Sequence, residues 1–84
     1  MSNEKTLELV RSILTQAIEI SHNSIIDVFV DYASHVDSIT VRVYLKGWSE
    51  NLEKDFYRYV YLTDKDSLEQ LNYIDKYLLE IRKE

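Results

Sequence analysis

The chain has 84 residues, no cysteine, no proline, a single glycine and a formal net charge of −5. That is one domain's worth of chain, residues 1–84, with a core just large enough to fold without staples. The composition excludes a disulfide framework, a thiolate metal site, a cysteine nucleophile and a glycine-rich phosphate loop, and the acidity argues against phosphate-driven nucleic-acid binding by the molecule as a whole.

Residues 1–5 are polar and lead into an amphipathic stretch. No apolar run approaches the roughly twenty residues needed to span a bilayer, so the sequence predicts a cytoplasmic protein with no membrane partner. A first helix is expected over about 3–21. Leu7, Val10, Leu14, Ala17 and either Ile18 or Ser21 follow the 3.6-residue repeat, with Ile13 and Ile20 widening the stripe. The polar run Ser21-His22-Asn23-Ser24 ends it and leaves His22 in a loop.

The first strand is predicted over 25–32, with Ile26, Val28, Val30 and Tyr32 on its inner face and Asp27, Phe29 and Asp31 on the other. Residues 33–37 make the hairpin loop. His35 there, between Asp31 and Asp37, has no recognised ligand spacing and reads as an ordinary loop histidine. The middle strand, 38–46, alternates strictly. Ile39, Val41, Val43 and Leu45 fall on one face, and Ser38, Thr40, Arg42, Tyr44 and Lys46 on the other. Gly47 follows where a turn needs positive φ, and Trp48 is expected to fold over the end of the core.

The third strand, 52–62, carries large apolar groups on both faces. Phe56, Val60 and Leu62 inward is the preferred register, since tyrosine tolerates water at its hydroxyl and Tyr57, Tyr59 and Tyr61 then face out. The consequence is that Arg58 must snorkel or pair. The opposite register would present Phe56, Lys54 and Arg58 beside Phe29, Tyr44 and Arg42, a platform for single-stranded bases. Thr63 is expected to start the last helix, with Thr63 to Asp66 or Ser67 to Gln70 resembling a capping box, and its stripe is Leu68, Leu71, Ile74, Leu78 and Ile81. The architecture is therefore α+β: a two-layer α-β-β-β-α domain, a three-stranded antiparallel meander with both helices on one face.

The other sheet face is left for water or a partner. It should carry Phe29, Arg42, Tyr44, Tyr57, Tyr59 and Tyr61, bordered by the acidic cluster Glu50, Glu53 and Asp55. Tyrosine and arginine are enriched in interface hot spots, and an aromatic patch of a few hundred Å² usually marks an interface. The alternative is that the tyrosines merely stack across strands. No catalytic motif stands in the chain: the two histidines lie in separate polar loops, and no serine has a nucleophile-elbow context. No metal site or cofactor is indicated.

The leading expectation is a small, acidic, non-enzymatic protein that binds another protein. One form is a phage or mobile-element inhibitor that engages a nucleic-acid-binding protein by presenting carboxylates where phosphates are expected. The alternatives are a homodimer closed by the aromatic face or a sheet edge, and the single-stranded nucleic-acid platform.

Overall fold

The computed structural model describes residues 4–50 and 53–82. They form α1 (Glu4–Asn23), β1 (Asp27–Ala33), β2 (Ser38–Tyr44), β3 (Phe56–Tyr61) and α2 (Ser67–Arg82). The strands make one antiparallel sheet in the order β1-β2-β3, with β2 central and both neighbours at an edge. Val41 is the crossing point of the register: it stands opposite Val30 on β1 and Arg58 on β3.

Alternation on β2 does what the pattern predicts. Ile39, Val41 and Val43 are all but fully buried and share one cluster with Phe56, Val60 and Leu62, with Ile13 and Ile20 of α1, and with Leu71, Ile74, Leu78 and Ile81 of α2. Both helices therefore lie on the same sheet face, in the two-layer α-β-β-β-α arrangement. Leu45 is the exception. Its N–H goes to the Asp55 carboxylate at 2.7 Å, and the Gly47 N–H closes a turn onto the Tyr44 carbonyl at 3.1 Å. The chain thus leaves the ladder after Tyr44, and Leu45 ends up exposed. Gly47 takes φ +87°, and a Cβ there would meet the Ile25 carbonyl oxygen at 3.2 Å, so a glycine is required. Trp48 does not fold over the core; it is exposed, with its N–H on Asp27 Oδ2 at 2.7 Å.

The preferred register of β3 is the one adopted. Phe56 is buried in a face-to-face stack with Tyr77, ring centroids 3.9 Å apart. Arg58 snorkels outward over Phe56 and Tyr73, at 4.7 and 5.1 Å from their ring centroids, with Nη1 on its neighbour's carbonyl. The strand begins at Phe56 rather than 52, and residue 52 lies outside the described residues.

Three further expectations need correction. The last helix starts at Ser67, not Thr63, because Leu62 stays buried in the sheet layer. Two turns, Asp64 N–H to Tyr61 and Ser67 N–H to Asp64, then carry the chain out before helical pairing begins. The first helix runs on to Asn23, since Asn23 and Ser24 donate side-chain hydrogen bonds to the carbonyls of Glu19 and Ile20. His22 is consequently helical. The buried line of α1 is also rotated from the expected stripe. It runs through Thr6, Ile13, Gln16, Ala17 and Ile20, while Leu7, Leu14 and Ile18 face outward.

The polar members of that line are explained by the seam with α2. Asp75 accepts hydrogen bonds from Ser12 Oγ at 2.7 Å and Gln16 Nε2 at 2.6 Å, tying the helices together midway along their length. Glu19 and Arg82 pair at 2.6 Å nearer the end. Replacing Asp75 by alanine leaves two donors in a half-buried seam without their acceptor. Asp75→Ala is expected to lower unfolding free energy by about 1–3 kcal/mol in urea titration, whereas Lys76→Ala, next to it on the exposed side, should change it by less than about 0.5 kcal/mol.

A tyrosine row on the open sheet face

The side of the sheet away from the helices is assembled by register alone. Tyr61 stands opposite Ser38, Tyr59 opposite Thr40 and Tyr57 opposite Arg42; on the other side of β2, Arg42 faces Phe29 and Thr40 faces Asp31. Side chains two apart on a strand share a face, so three tyrosines line one edge of this surface. They are 45, 42 and 43% exposed at positions 57, 59 and 61. Tyr59 and Tyr61 meet edge-to-face at 5.0 Å, and Lys54 Nζ lies 5.3 Å over the Tyr57 ring.

The remaining predicted residues divide into surface and support. Tyr44 is only 5% exposed and packs edge-on against Phe29 at 5.6 Å, so this residue, expected on the open surface, belongs to the packing beneath it. Half-buried Phe29 in turn carries the Arg42 guanidinium at 4.8 Å, and the same guanidinium pairs with Asp31 at 3.2 Å. Arg42 is thereby held flat on the sheet, next to Tyr57. The acidic cluster is split as well. Glu50 and Glu53 are exposed, but Asp55 is spent on the Leu45 N–H.

The other carboxylates of the sheet also have structural partners. Asp27 takes the Trp48 N–H and Asp37 accepts the Tyr32 hydroxyl at 2.8 Å. Tyr32 ionises above its ordinary range because that bond to the Asp37 carboxylate favours the neutral phenol. Among the described residues no group of three or more His, Asp or Glu side chains is placed to hold a metal ion. The platform of Phe56, Lys54 and Arg58 beside Phe29 and Tyr44 is not formed, since Phe56 and Arg58 belong to the helix-covered side.

Ser38 is a contributor that sequence reasoning left among the outward strand positions without a role. It is buried, and its hydroxyl donates to Tyr59 Oη at 3.3 Å. The signal that points to it is the pairing register, which sets Ser38 opposite Tyr61 with Tyr59 as its diagonal neighbour. That bond, together with the neighbouring Tyr61 hydroxyl, favours the Tyr59 phenolate and lowers its pKa. Tyr61 moves the opposite way, because its hydroxyl is tied to Tyr59 and an anion there would be repelled. Comparison with protein-family models, with curated proteins and with solved structures finds no match to this chain.

Tyr59 and Tyr61 are thus shifted in opposite directions. In a phenolate absorbance titration Tyr59 is expected to ionise ahead of Tyr61, and Tyr59→Phe should remove the earlier of these two steps. Ser38→Ala should move the Tyr59 step to higher pH, because the phenolate loses the hydrogen bond that the Ser38 hydroxyl donates to it. Curves of wild type and both variants that superimpose would disprove the coupling.

Proposed function

We propose that the protein acts by binding another protein through the open face of its sheet, with Tyr57, Tyr59 and Tyr61 as anchors and Arg42 as their charged neighbour. The observation that carries this reading is the tyrosine row itself: three large amphipathic rings, each nearly half exposed, on a rigid strand. Rings held this way lose little conformational freedom on binding, and tyrosine and arginine are the side chains most often found at interface hot spots. Tyr44 and Phe29 support the reading from below, since they fix Arg42 before any partner arrives. No catalytic role is proposed for any side chain.

A partner that approaches this face meets a mixed rather than an acidic surface. Arg42 and Lys54 stand among the rings, and Asp27, Asp31 and Asp55 already accept hydrogen bonds within the chain. Aromatic anchoring therefore leads, and carboxylate mimicry of a nucleic acid, with an inhibitor of a nucleic-acid-binding protein as its concrete form, rests on the exposed edge carboxylates, Glu50 and Glu53 with Asp55 beside them. The two readings separate on salt, because aromatic anchoring is weakly screened and exposed charge pairs are strongly screened.

The test is affinity capture from extract of the source cells, with quantitative mass spectrometry, comparing wild type with Tyr57→Ala, Tyr59→Ala and Tyr61→Ala. All three positions are exposed, so the variants are expected to keep the wild-type circular dichroism spectrum. A specific partner should be lost from at least one tyrosine variant, with affinity reduced about 30-fold or more for a hot-spot side chain. The same partner retained by all three, but lost with Glu50→Gln and Glu53→Gln or above moderate salt, would transfer the function to the acidic edge. Equal capture by every variant at every salt concentration would refute both.

A further inference from the structure

The two edges of the sheet are not treated alike. β3 carries a charged residue at a helix-side position, Arg58, whose guanidinium spreads over Phe56 and Tyr73 toward water. Charges placed this way are a common means of preventing an edge strand from pairing with another chain. β1 has nothing comparable. Its inner face is Val28, Val30 and Tyr32, with Tyr32 58% exposed, and the helix above it turns an apolar line outward. Leu14 (46% exposed) and Ile18 (52% exposed) on that line border a continuous groove with Ala17, Val28 and Val30.

We infer that this shoulder of α1 and β1 is the seat of a second copy of the same chain, joined by antiparallel pairing of the two β1 strands about a two-fold axis at Val30. The proposal concerns a different face from the tyrosine row and stands or falls independently of it. Three observations select this occupant. The first is the backbone. The Val28 N–H donates to Ser21 Oγ at 3.2 Å, so the amide points away from β2. Alternation along an antiparallel strand then turns the amides and carbonyls of Val30 and Tyr32 to the same open side. With the axis at Val30, each Val30 bonds its own counterpart and each Tyr32 pairs with the Val28 opposite, about six bonds in which the incoming Tyr32 carbonyl takes the Val28 N–H over from the Ser21 hydroxyl.

The second observation is that this register is self-complementary. Val28 meets Tyr32 of the second copy on the helix side, a β-branched residue opposite an aromatic ring. On the open side Phe29 meets Asp31, and Arg42, already stacked on Phe29 and bonded to its own Asp31, lies where the second Asp31 arrives. A shift of the axis by one residue toward Asp31 would set the two Asp31 carboxylates against each other, and a shift toward Phe29 would set Asp31 against Asp27. The third is area. A two-fold perpendicular to the sheet keeps both helical layers on one side and brings the two α1 helices together through Leu14 and Ile18. The exposed parts of Leu7, Leu14, Ile18, Ile25 and Tyr32 present on the order of 500 Å² of apolar surface, to which the strand edge adds, against the ~800 Å² per partner of a standard interface.

The experiment is light scattering over a concentration series, paired with hydrogen exchange of the β1 amides. Wild type is expected to rise from the 10.0 kDa chain to twice that mass, with Val30 and Tyr32 amides protected in the concentrated sample and released on dilution. Ile18→Lys, at an exposed helix position, should weaken self-association at least tenfold while leaving the fold intact. Val30→Pro removes an amide that only the second copy uses and should do the same; Arg58→Ala on the opposite edge should not. A wild-type mass of one chain up to about 1 mM overturns the inference. So does a dimer that survives Ile18→Lys with unprotected Val30 and Tyr32 amides, or one abolished by Tyr59→Ala instead.

Discussion

Everything in this molecule is arranged around the inner face of β2. Ile39, Val41 and Val43 have no contact with water, and their burial needs a strand on either side and a helix layer above. Fully burying side chains of this size contributes about 1.5–3 kcal/mol each, a large share of the net stability of so short a chain. The two hairpins and both helix entries are thereby constrained. The Asp37 backbone at φ 51°, the single glycine and the Asp55 carboxylate on Leu45 are all local devices that let the chain enter and leave this one strand.

A three-stranded sheet is narrow for the layer it carries. At about 4.8 Å between strands it is roughly 10–15 Å wide, whereas two packed helices need about 20 Å. The helices must overhang both edges. On the β3 side the overhang is closed by a stack of Arg58, Tyr73, Phe56 and Tyr77, which ends in a charge facing water. Tyr77 is shielded enough there for desolvation to raise its pKa. On the β1 side the overhang ends in leucine and isoleucine. The asymmetry of the two shoulders is thus a consequence of sheet width, resolved chemically in opposite ways.

That geometry also explains which parts of the fold were legible in the sequence. Period-2 alternation located β2, and the solubility of a tyrosine hydroxyl against the reach of an arginine chose the right face of β3. The phase of α1 was misjudged for a physical reason. Its apolar residues cover roughly half the circumference, and a periodicity argument centres on the middle of such a sector. The true buried line is set by what α2 offers, and Asp75 makes Gln16 a better core residue than Leu14. Hydrogen bonding between distant segments leaves no periodic trace. Tyr44 was misplaced similarly: strand alternation correctly put it on the open side, but it cannot report that Phe29 packs against it there.

The acidic residues show the same limit from the side of function. Net charge and clustering invite a reading in which carboxylates await a cationic partner. In the folded chain Asp27, Asp31, Asp37, Asp55 and Asp75 each accept a hydrogen bond or an ion pair from elsewhere in the sequence. A carboxylate that satisfies a backbone N–H at a strand end keeps its charge but has its position fixed by the fold rather than left free to meet a partner. Much of the acidity is therefore structural currency in a chain that has one glycine and no proline with which to shape its turns. The face that the helices leave open is different in kind: a row of phenol rings with two cations beside it.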